Sequence, residues 1–181
     1  KPEFMVRLFV AIRPPGPIRD TLLGLMDGVE GARWQSDAQL HLTLAFIGEV
    51  DRPTAQDCLS SLSTITHPPV RMQLSGGGVF EKGGQVHTLW AGVMADEGLL
   101  RLHAKVAQAL QRAGVMLDAR AWRPHITLAR GSMRSDAAAF AASLSALSSR
   151  PFRIDSFGLY ESSLGKGGAD YTLVERFSLT E

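Results

Sequence analysis

Two five-residue segments, HLTLA at 41–45 and HITLA at 125–129, decide the fold of this 181-residue chain. In both segments His and Thr alternate with leucine or isoleucine, which is typical of a β-strand that buries one face. The histidine and the threonine therefore share a face, away from the leucines. A single His-x-Thr segment is more often structural than functional. Because a duplicated core would repeat apolar residues rather than a histidine, the second copy indicates a function.

The elements around the two segments repeat as well. Helix, strand, helix, strand and strand are predicted in this order over 17–93 and again over 97–179, after a first strand at 6–12. The predicted helices are 17–29, 51–63, 97–113 and 135–147, and the other predicted strands are 39–47, 70–75, 86–93, 123–129, 152–161 and 171–179.

This order predicts an α+β fold of two pseudo-symmetric lobes, each with an antiparallel sheet and flanking helices, and an active site in the central cleft. No linker separates the repeat units, so we expect residues 5–181 to form a single bilobal catalytic domain. We interpret Lys1–Phe4, which precede Met5, as an expression remnant.

Composition limits the function classes. The formal net charge is only +1, which argues against a protein that wraps long nucleic acids but allows a cleft for one phosphate or one RNA end. Cys58 is the single cysteine, so an intramolecular disulfide is excluded and a cytoplasmic location is expected. No apolar run has the length of a membrane-spanning helix, and we expect no membrane partner.

Two strands that face each other across a cleft would bring His41 and His125 together, flanked by Thr43 and Thr127. Histidine titrates near neutrality, so one imidazole can take a proton from water while the other protonates a leaving ribose oxygen. The threonine hydroxyls can donate to phosphate oxygens. A zinc site needs three or four ligands, whereas the motifs offer two imidazoles. We therefore expect phosphodiester hydrolysis with neither metal nor cofactor.

The blocks that contain the motifs carry a family resemblance. They are MVRLFVAI (5–12), RWQSDAQLHLTLAFIGEV (33–50), HTLWAGV (87–93), WRPHITLAR (122–130) and LYESSLGKGGADYTLVERFSL (159–179). With them the chain resembles the RNA 2′,3′-cyclic phosphodiesterases, historically called 2′–5′ RNA ligases, of the 2H phosphoesterase superfamily.

The resemblance implies a bilobal fold and hydrolysis of terminal 2′,3′-cyclic phosphates to a 2′-phosphate, with reversible 2′–5′ ligation as a lesser activity. It makes His41 and His125 the catalytic pair and Thr43 and Thr127 the phosphate ligands. Our expectation is that His125 acts as the base on water and His41 as the acid toward the ribose 3′ oxygen. The implied partner is RNA with cyclic phosphate ends, with tRNA fragments as one candidate.

Three further residues are candidate substrate contacts. Arg130 follows the second motif, where Phe46 stands in the first, and could supply charge to the phosphate. Strict alternation places it opposite His125, so it can contribute only if the strand ends or bulges at 129–130. Phe9 and Tyr160 are candidates to stack on a base. The alternatives are a salt-bridged surface arginine and ordinary core aromatics.

Two other functions remain open from the residues alone. One is a 2H phosphodiesterase that acts on another small cyclic nucleotide-type phosphate, and the other is a non-catalytic RNA-end binding module. A two-histidine enzyme should have a bell-shaped pH–rate profile, whereas a binding module has no rate. We expect a monomer, because two lobes already supply two half-sites.

Overall fold

The computed structural model describes residues 5–134 and 136–181, so Ser135 and the segment 1–4, interpreted above as an expression remnant, lie outside the described residues. Its helices are α1 (Gly16–Leu23), α2 (Arg52–Ser63), α3 (Glu97–Arg112) and α4 (Asp136–Ser143). Its strands are β1 (Met5–Ile12), β2 (Ala32–Trp34), β3 (Leu42–Asp51), β4 (Val70–Lys82), β5 (Gln85–Ala95), β6 (His125–Met133), β7 (Phe152–Ile154), β8 (Ser156–Gly165) and β9 (Gly168–Ser178). The α+β prediction is confirmed.

The strands form one antiparallel sheet in the order β7-β4-β5-β6-β3-β1-β8-β9, with β2 beside β6. The β4–β5 hairpin belongs to the first repeat unit, yet it pairs with β6, which carries the second motif. The β8–β9 hairpin of the second unit pairs with β1, the neighbour of β3. Each lobe therefore takes its hairpin from the other repeat unit, and the lobes in space do not coincide with 17–93 and 97–179.

One face of this sheet is the core. Alternate residues of the central strands are fully buried there, and α3 packs over them with a stripe at helical spacing: Leu99, Leu102, Val106 and Leu110. Full burial of one such side chain contributes about 1.5–3 kcal/mol. The Asp96 carboxylate accepts a hydrogen bond from the Leu99 N–H at 2.8 Å, which fixes where α3 begins. The other face is left for the cleft.

Two predicted helices are too long. The first ends at Leu23, and its following apolar residues reach the core through turns in which Gly28 has a φ of +80°. Their spacing matched a helix because turns also bring apolar residues back to the core. The last predicted helix ends at Ser143 and continues as one 3₁₀ turn over Leu144–Ala146. None of the helices in the described residues is long and apolar enough to cross a membrane.

Two strand predictions also differ from the structure. The glycine-rich connection after residue 75 is part of β4, and the hairpin turns at Gly83 and Gly84, whose φ angles are +61° and +77°. The predicted strand 152–161 is broken at Asp155, because β7 pairs with β4 in one lobe while β8 pairs with β1 in the other.

Candidate active site

The two lobes meet at one register pair between β3 and β6, formed by Leu42 and Ile126. Both side chains are fully buried in the core. Their chain neighbours therefore point to the opposite face, where antiparallel pairing sets His41 opposite Thr127 and His125 opposite Thr43. The sheet thus gathers both histidines and both threonines on one face, about the pseudo-two-fold axis.

A β-bulge follows the threonine in each motif. In β3, Ala11 pairs with Thr43 and Val10 with Ala45, so Leu44 is the extra residue. In β6, Trp90 pairs with Thr127 and Leu89 with Ala129, so Leu128 is the extra residue. Both extra leucines and the alanines after them are buried. The next residue of each strand is thereby returned to the cleft face.

The bulge decides the position of Arg130. Arg130 can contribute only if the strand ends or bulges just before it, and the bulge meets this condition. Arg130 lies exposed on the same face as His125 and Thr127. Phe46 takes the equivalent place in the other lobe, and its side chain is 67% exposed. The cleft therefore has a guanidinium on one side and an aromatic ring on the other.

Backbone carbonyls orient both imidazoles in the same way. His41 Nδ1 lies 2.7 Å from the Gln39 carbonyl oxygen, and His125 Nδ1 lies 2.6 Å from that of Arg123. A carbonyl only accepts, so each Nδ1 carries the proton and each Nε2 has a lone pair directed at the cleft. His41 Nε2 accepts from the Thr43 hydroxyl at 2.9 Å. In the described structure His125 Nε2 has no equivalent bond from Thr127.

The protein environment lowers the pKa of both histidines, which favours the neutral imidazole. The pKa of His41 is lowered to about 4, mainly by burial, with smaller contributions from Arg130, Arg13 and His125, and the bond to the Gln39 carbonyl opposes the shift. Burial also lowers the pKa of His125, to which Arg130 adds and which the Arg123 carbonyl opposes. Arg130 thus acts on both imidazoles. The protonated form of His125 also disfavours protonation of His41, so the two rings share one electrostatic environment.

Different aromatic side chains support each imidazole. The His41 ring centroid lies 5.0 Å from that of Phe9 and 5.1 Å from that of Tyr171, which is edge-on. The His125 ring has Phe80 at 5.1 Å and Trp90 at 5.9 Å. These contacts restrict ring rotation and account for the desolvation of both groups.

The prediction that Phe9 stacks on a base is wrong, because its side chain is only 4% exposed. Its ring lies beneath His41 and stacks on Tyr160 at 5.4 Å, so it has a supporting role. Tyr160 is partly exposed, one ring farther from His41. The exposed aromatic of this lobe is Phe46, which the sequence indicated only as the counterpart of Arg130.

Arg33 is a cleft residue that sequence reasoning missed. It lies on β2 directly opposite Arg130, so two guanidinium groups are cross-strand neighbours. Gly31 and Gly131 allow this pairing: a Cβ on either glycine would overlap the other strand's backbone. The signal in the sequence was an arginine in the block ahead of the first motif.

The described residues contain no group of three or more His, Cys, Asp or Glu side chains placed to hold a metal ion. The donors that the cleft face offers are imidazole, hydroxyl and guanidinium. Guanidinium and hydroxyl groups can hydrogen-bond an anionic phosphate, and imidazoles can exchange protons near neutral pH.

Comparison with known proteins agrees with this geometry. A model of the 2′-5′ RNA ligase superfamily matches residues 23–166. The RNA 2′,3′-cyclic phosphodiesterase of Thermus thermophilus is 32% identical over 185 residues, which cover 96% of this chain and 90% of that protein. The Escherichia coli protein of the same name is 28% identical over 185 residues and 97% of both chains.

The chain is also similar to solved structures. The E. coli LigT crystal structure in its apo form superposes with a TM-score of 0.80 at 27% identity, over 98% of this chain and 99% of that one. LigT complexed with 3′-AMP gives a TM-score of 0.79 with the same identity and coverage.

Proposed function

The chain belongs to the 2′-5′ RNA ligase superfamily of 2H phosphoesterases, and from that premise we propose that it hydrolyses the 2′,3′-cyclic phosphate ends of RNA by two-histidine acid–base catalysis. The observation that carries the proposal is the orientation of the imidazoles. Each is tethered through Nδ1 to a carbonyl two residues upstream, so that each Nε2 is available on one cleft face.

The reaction needs one base and one acid on either side of a phosphorus atom. One neutral imidazole takes a proton from water as the water oxygen attacks phosphorus. The P–O3′ bond breaks, and the other histidine, in its protonated form, gives its proton to the leaving O3′. The ribose then carries a 2′-phosphate and a free 3′-hydroxyl. We keep the assignment of His125 as the base and His41 as the acid as a prediction, since the pseudo-two-fold axis lets the roles exchange.

The negative charge of the substrate favours protonation of the histidine that acts as the acid. In the free protein both pKa values lie below 6.5. A bound phosphate anion favours the imidazolium form, and so raises both pKa values. Arg130 and the threonine hydroxyls would contact the non-bridging oxygens, where negative charge increases in the transition state. The lowered pKa of the histidines in the free protein thus keeps the base neutral, with a free lone pair. The bound substrate then favours protonation of the histidine that acts as the acid.

The test is hydrolysis of a short RNA that ends in a 2′,3′-cyclic phosphate, in excess EDTA, with the terminal phosphate of the product identified. We expect a 2′-phosphate from the wild-type protein and almost none from His41→Ala or His125→Ala. His87→Ala is the matched control, because His87 is exposed and lies outside the cluster. A 3′-phosphate would reverse the leaving oxygen, and turnover that requires a metal ion would overturn the proposal.

The same geometry accommodates ligation. A 5′-hydroxyl of a second RNA in place of water would form a 2′–5′ linkage with the same departure of O3′. An RNA-end binding module would bind the substrate without turnover, and a 2H enzyme for another cyclic phosphate would turn over the mononucleotide alone.

We also propose that one chain is the active unit, because both half-sites come from it. Equal specific activity across a dilution series, with one molecular mass, would support this.

A further inference from the structure

A cavity of about 550 Å³ lies beside the His41 half-site, on the lobe formed by β1, β8 and β9. Its walls include three arginines, Arg13, Arg153 and Arg176, and one carboxylate, Asp155. The formal charge of this set is +2. Such an excess in a concave site raises the local concentration of anions.

The cavity opens on the same face of the sheet as the catalytic cluster. Ser156, Gly158 and Tyr160 of β8 line it together with Phe157, and Arg176 of β9 is the register partner of Gly158. Gly158 in turn pairs with Ala11, which pairs with Thr43. Register partners point to the same face, so Arg176 and Thr43 share one continuous surface.

Tyr160 links the cavity to His41. Tyr160 lines the cavity, and its ring stacks on Phe9, which also contacts His41. Burial raises the pKa of Tyr160, whereas Arg13 and Arg176 lower it, which places the phenol near both guanidinium groups. Two aromatic rings, those of Tyr160 and Phe9, thus separate the cavity from the His41 imidazole.

The charge of two of the arginines is not compensated by protein groups. Among the described residues neither Arg153 nor Arg176 forms an ion pair, and both are exposed. Arg153 is also the cross-strand partner of Arg71, an arrangement of like charges that destabilises a sheet unless an anion relieves it. Arg13 differs from them, because it donates to the carbonyls of Asp37 and Leu40, just ahead of His41.

We propose that this cavity binds a second phosphate of the substrate, carried by the nucleotide whose cyclic phosphate lies at His41 and His125. The proposal rests on the proposed function, since it names the RNA feature next to the reacting group. The occupant is either the internal phosphodiester that joins the last two nucleotides or the 5′-phosphate of a free nucleotide. Both offer anionic oxygens that match the arginine forks.

The experiment compares four substrates with the same terminal nucleoside 2′,3′-cyclic phosphate. They are the mononucleotide, its 5′-phosphorylated form, a dinucleotide, and the same dinucleotide with a neutral methylphosphonate as its internal linkage. kcat/KM is measured for wild type, Arg176→Ala and Arg153→Ala. Arg112→Ala is the control, because it removes an exposed positive charge at the end of α3.

We expect the wild-type protein to prefer the dinucleotide over its methylphosphonate analogue by about 10- to 100-fold, as for a charged hydrogen bond. Both cavity variants should lose most of this preference and leave the mononucleotide rate unchanged, and Arg112→Ala should keep it. Preference for the 5′-phosphorylated mononucleotide instead of the dinucleotide would identify a free nucleotide as the source.

Equal rates for phosphodiester and methylphosphonate, or an unchanged preference in both variants, would overturn the cavity proposal. Failure of the proposed function has a different signature, namely no turnover of any of the four substrates by the wild-type protein. In that event the Kd ratio of the two dinucleotides, measured by calorimetry, still tests the cavity, with the same ratio expected and the same variants abolishing it.

Discussion

The half-site of His41 and that of His125 share their backbone design and differ in their side chains. Both have a carbonyl-tethered imidazole, a threonine two residues on, and a bulge that returns the residue after the motif to the cleft. At that position one half-site has Phe46 and the other has Arg130. The Thr43 hydroxyl is bonded to its histidine, whereas Thr127 makes no such bond in the described structure.

The shared part is what acid–base catalysis needs, because the base and the acid perform related proton transfers in opposite directions. The residues that differ determine the orientation in which a substrate can bind. A phosphate is attracted toward Arg130 and Arg33, and a flat apolar group fits better against Phe46. In the proposed mechanism the repeated residues transfer the protons, and the residues that differ at one bulged position set the orientation of the substrate. The following predictions test this division in order of expected effect.

The largest effect should come from the shared part. His41→Ala and His125→Ala should each lower kcat by roughly 10²–10⁴-fold, because each removes one positioned proton-transfer group. If both act in one step, the double variant should lose much less than the product of the two single losses. Single-turnover rates on a cyclic-phosphate RNA measure this. A single variant with near wild-type kcat would show that the half-sites are not a pair.

The position that differs should have the next largest effect. Arg130→Ala should lower kcat/KM by about 10- to 100-fold, the value of a charged hydrogen bond, and Arg130→Lys should restore part of it. Phe46→Ala should lower kcat/KM by a smaller factor, because it removes only an apolar contact with the substrate. Steady-state kinetics of both variants provide the comparison, and equal losses would mean that the bulged positions have the same role.

The two threonines should differ by a smaller factor. Thr127→Val should reduce kcat/KM by about 2- to 10-fold, the net value of a neutral hydrogen bond. Thr43→Val should reduce it less, because the Thr43 hydroxyl must first leave His41 Nε2 before it can reach a phosphate. Serine at each position, which keeps the hydroxyl, is the control. A larger loss at Thr43 would indicate that its bond to His41 is retained during the reaction.

The smallest effect is a shift of the pH–rate profile. The base must be neutral, so the rate rises with pH through its pKa; the acid must be protonated, so the rate falls as pH rises through the other pKa. Both pKa values of the free protein lie below 6.5, so the kcat/KM optimum should lie on the acid side of 6.5. The kcat optimum should lie at higher pH, because the bound phosphate anion raises both.

Arg130→Ala should move the kcat/KM optimum upward, since the guanidinium lowers both histidine pKa values. Rates over a pH series at constant ionic strength measure the shift, with Arg112→Ala as the control for net charge. An optimum that does not move would mean that burial alone determines both pKa values.

Strand alternation was sufficient to predict the face shared by each histidine and threonine, because it depends only on the chain geometry. It was not sufficient for Arg130, since a bulge resets the alternation. The adjacent buried residues Leu128 and Ala129 were the local sign of that reset. Phe9 was misjudged because a strand residue beside an active-site residue can belong to its support instead of to its surface.

The exchange of hairpins between the repeat units could not be predicted from local patterns. Pairing of β5 with β6, and of β8 with β1, depends on which edges meet after the whole chain has collapsed. Arg33 was missed for the same reason, because its importance comes from its register with Arg130. Local patterns predicted the four helices and most of the strands, though not β2, whereas the neighbours of each strand in the sheet are set by contacts across the chain.

The exchange of hairpins also has a consequence for how the molecule folds. Gln39, just ahead of the first histidine, donates to the carbonyl of Ala169, 130 positions away, and Tyr171 completes the surroundings of His41. Contacts between residues so far apart in sequence slow folding, because the entropy of loop closure is lost before the contacts stabilise the fold. The surroundings of His41 are therefore complete only after β9 has been synthesised.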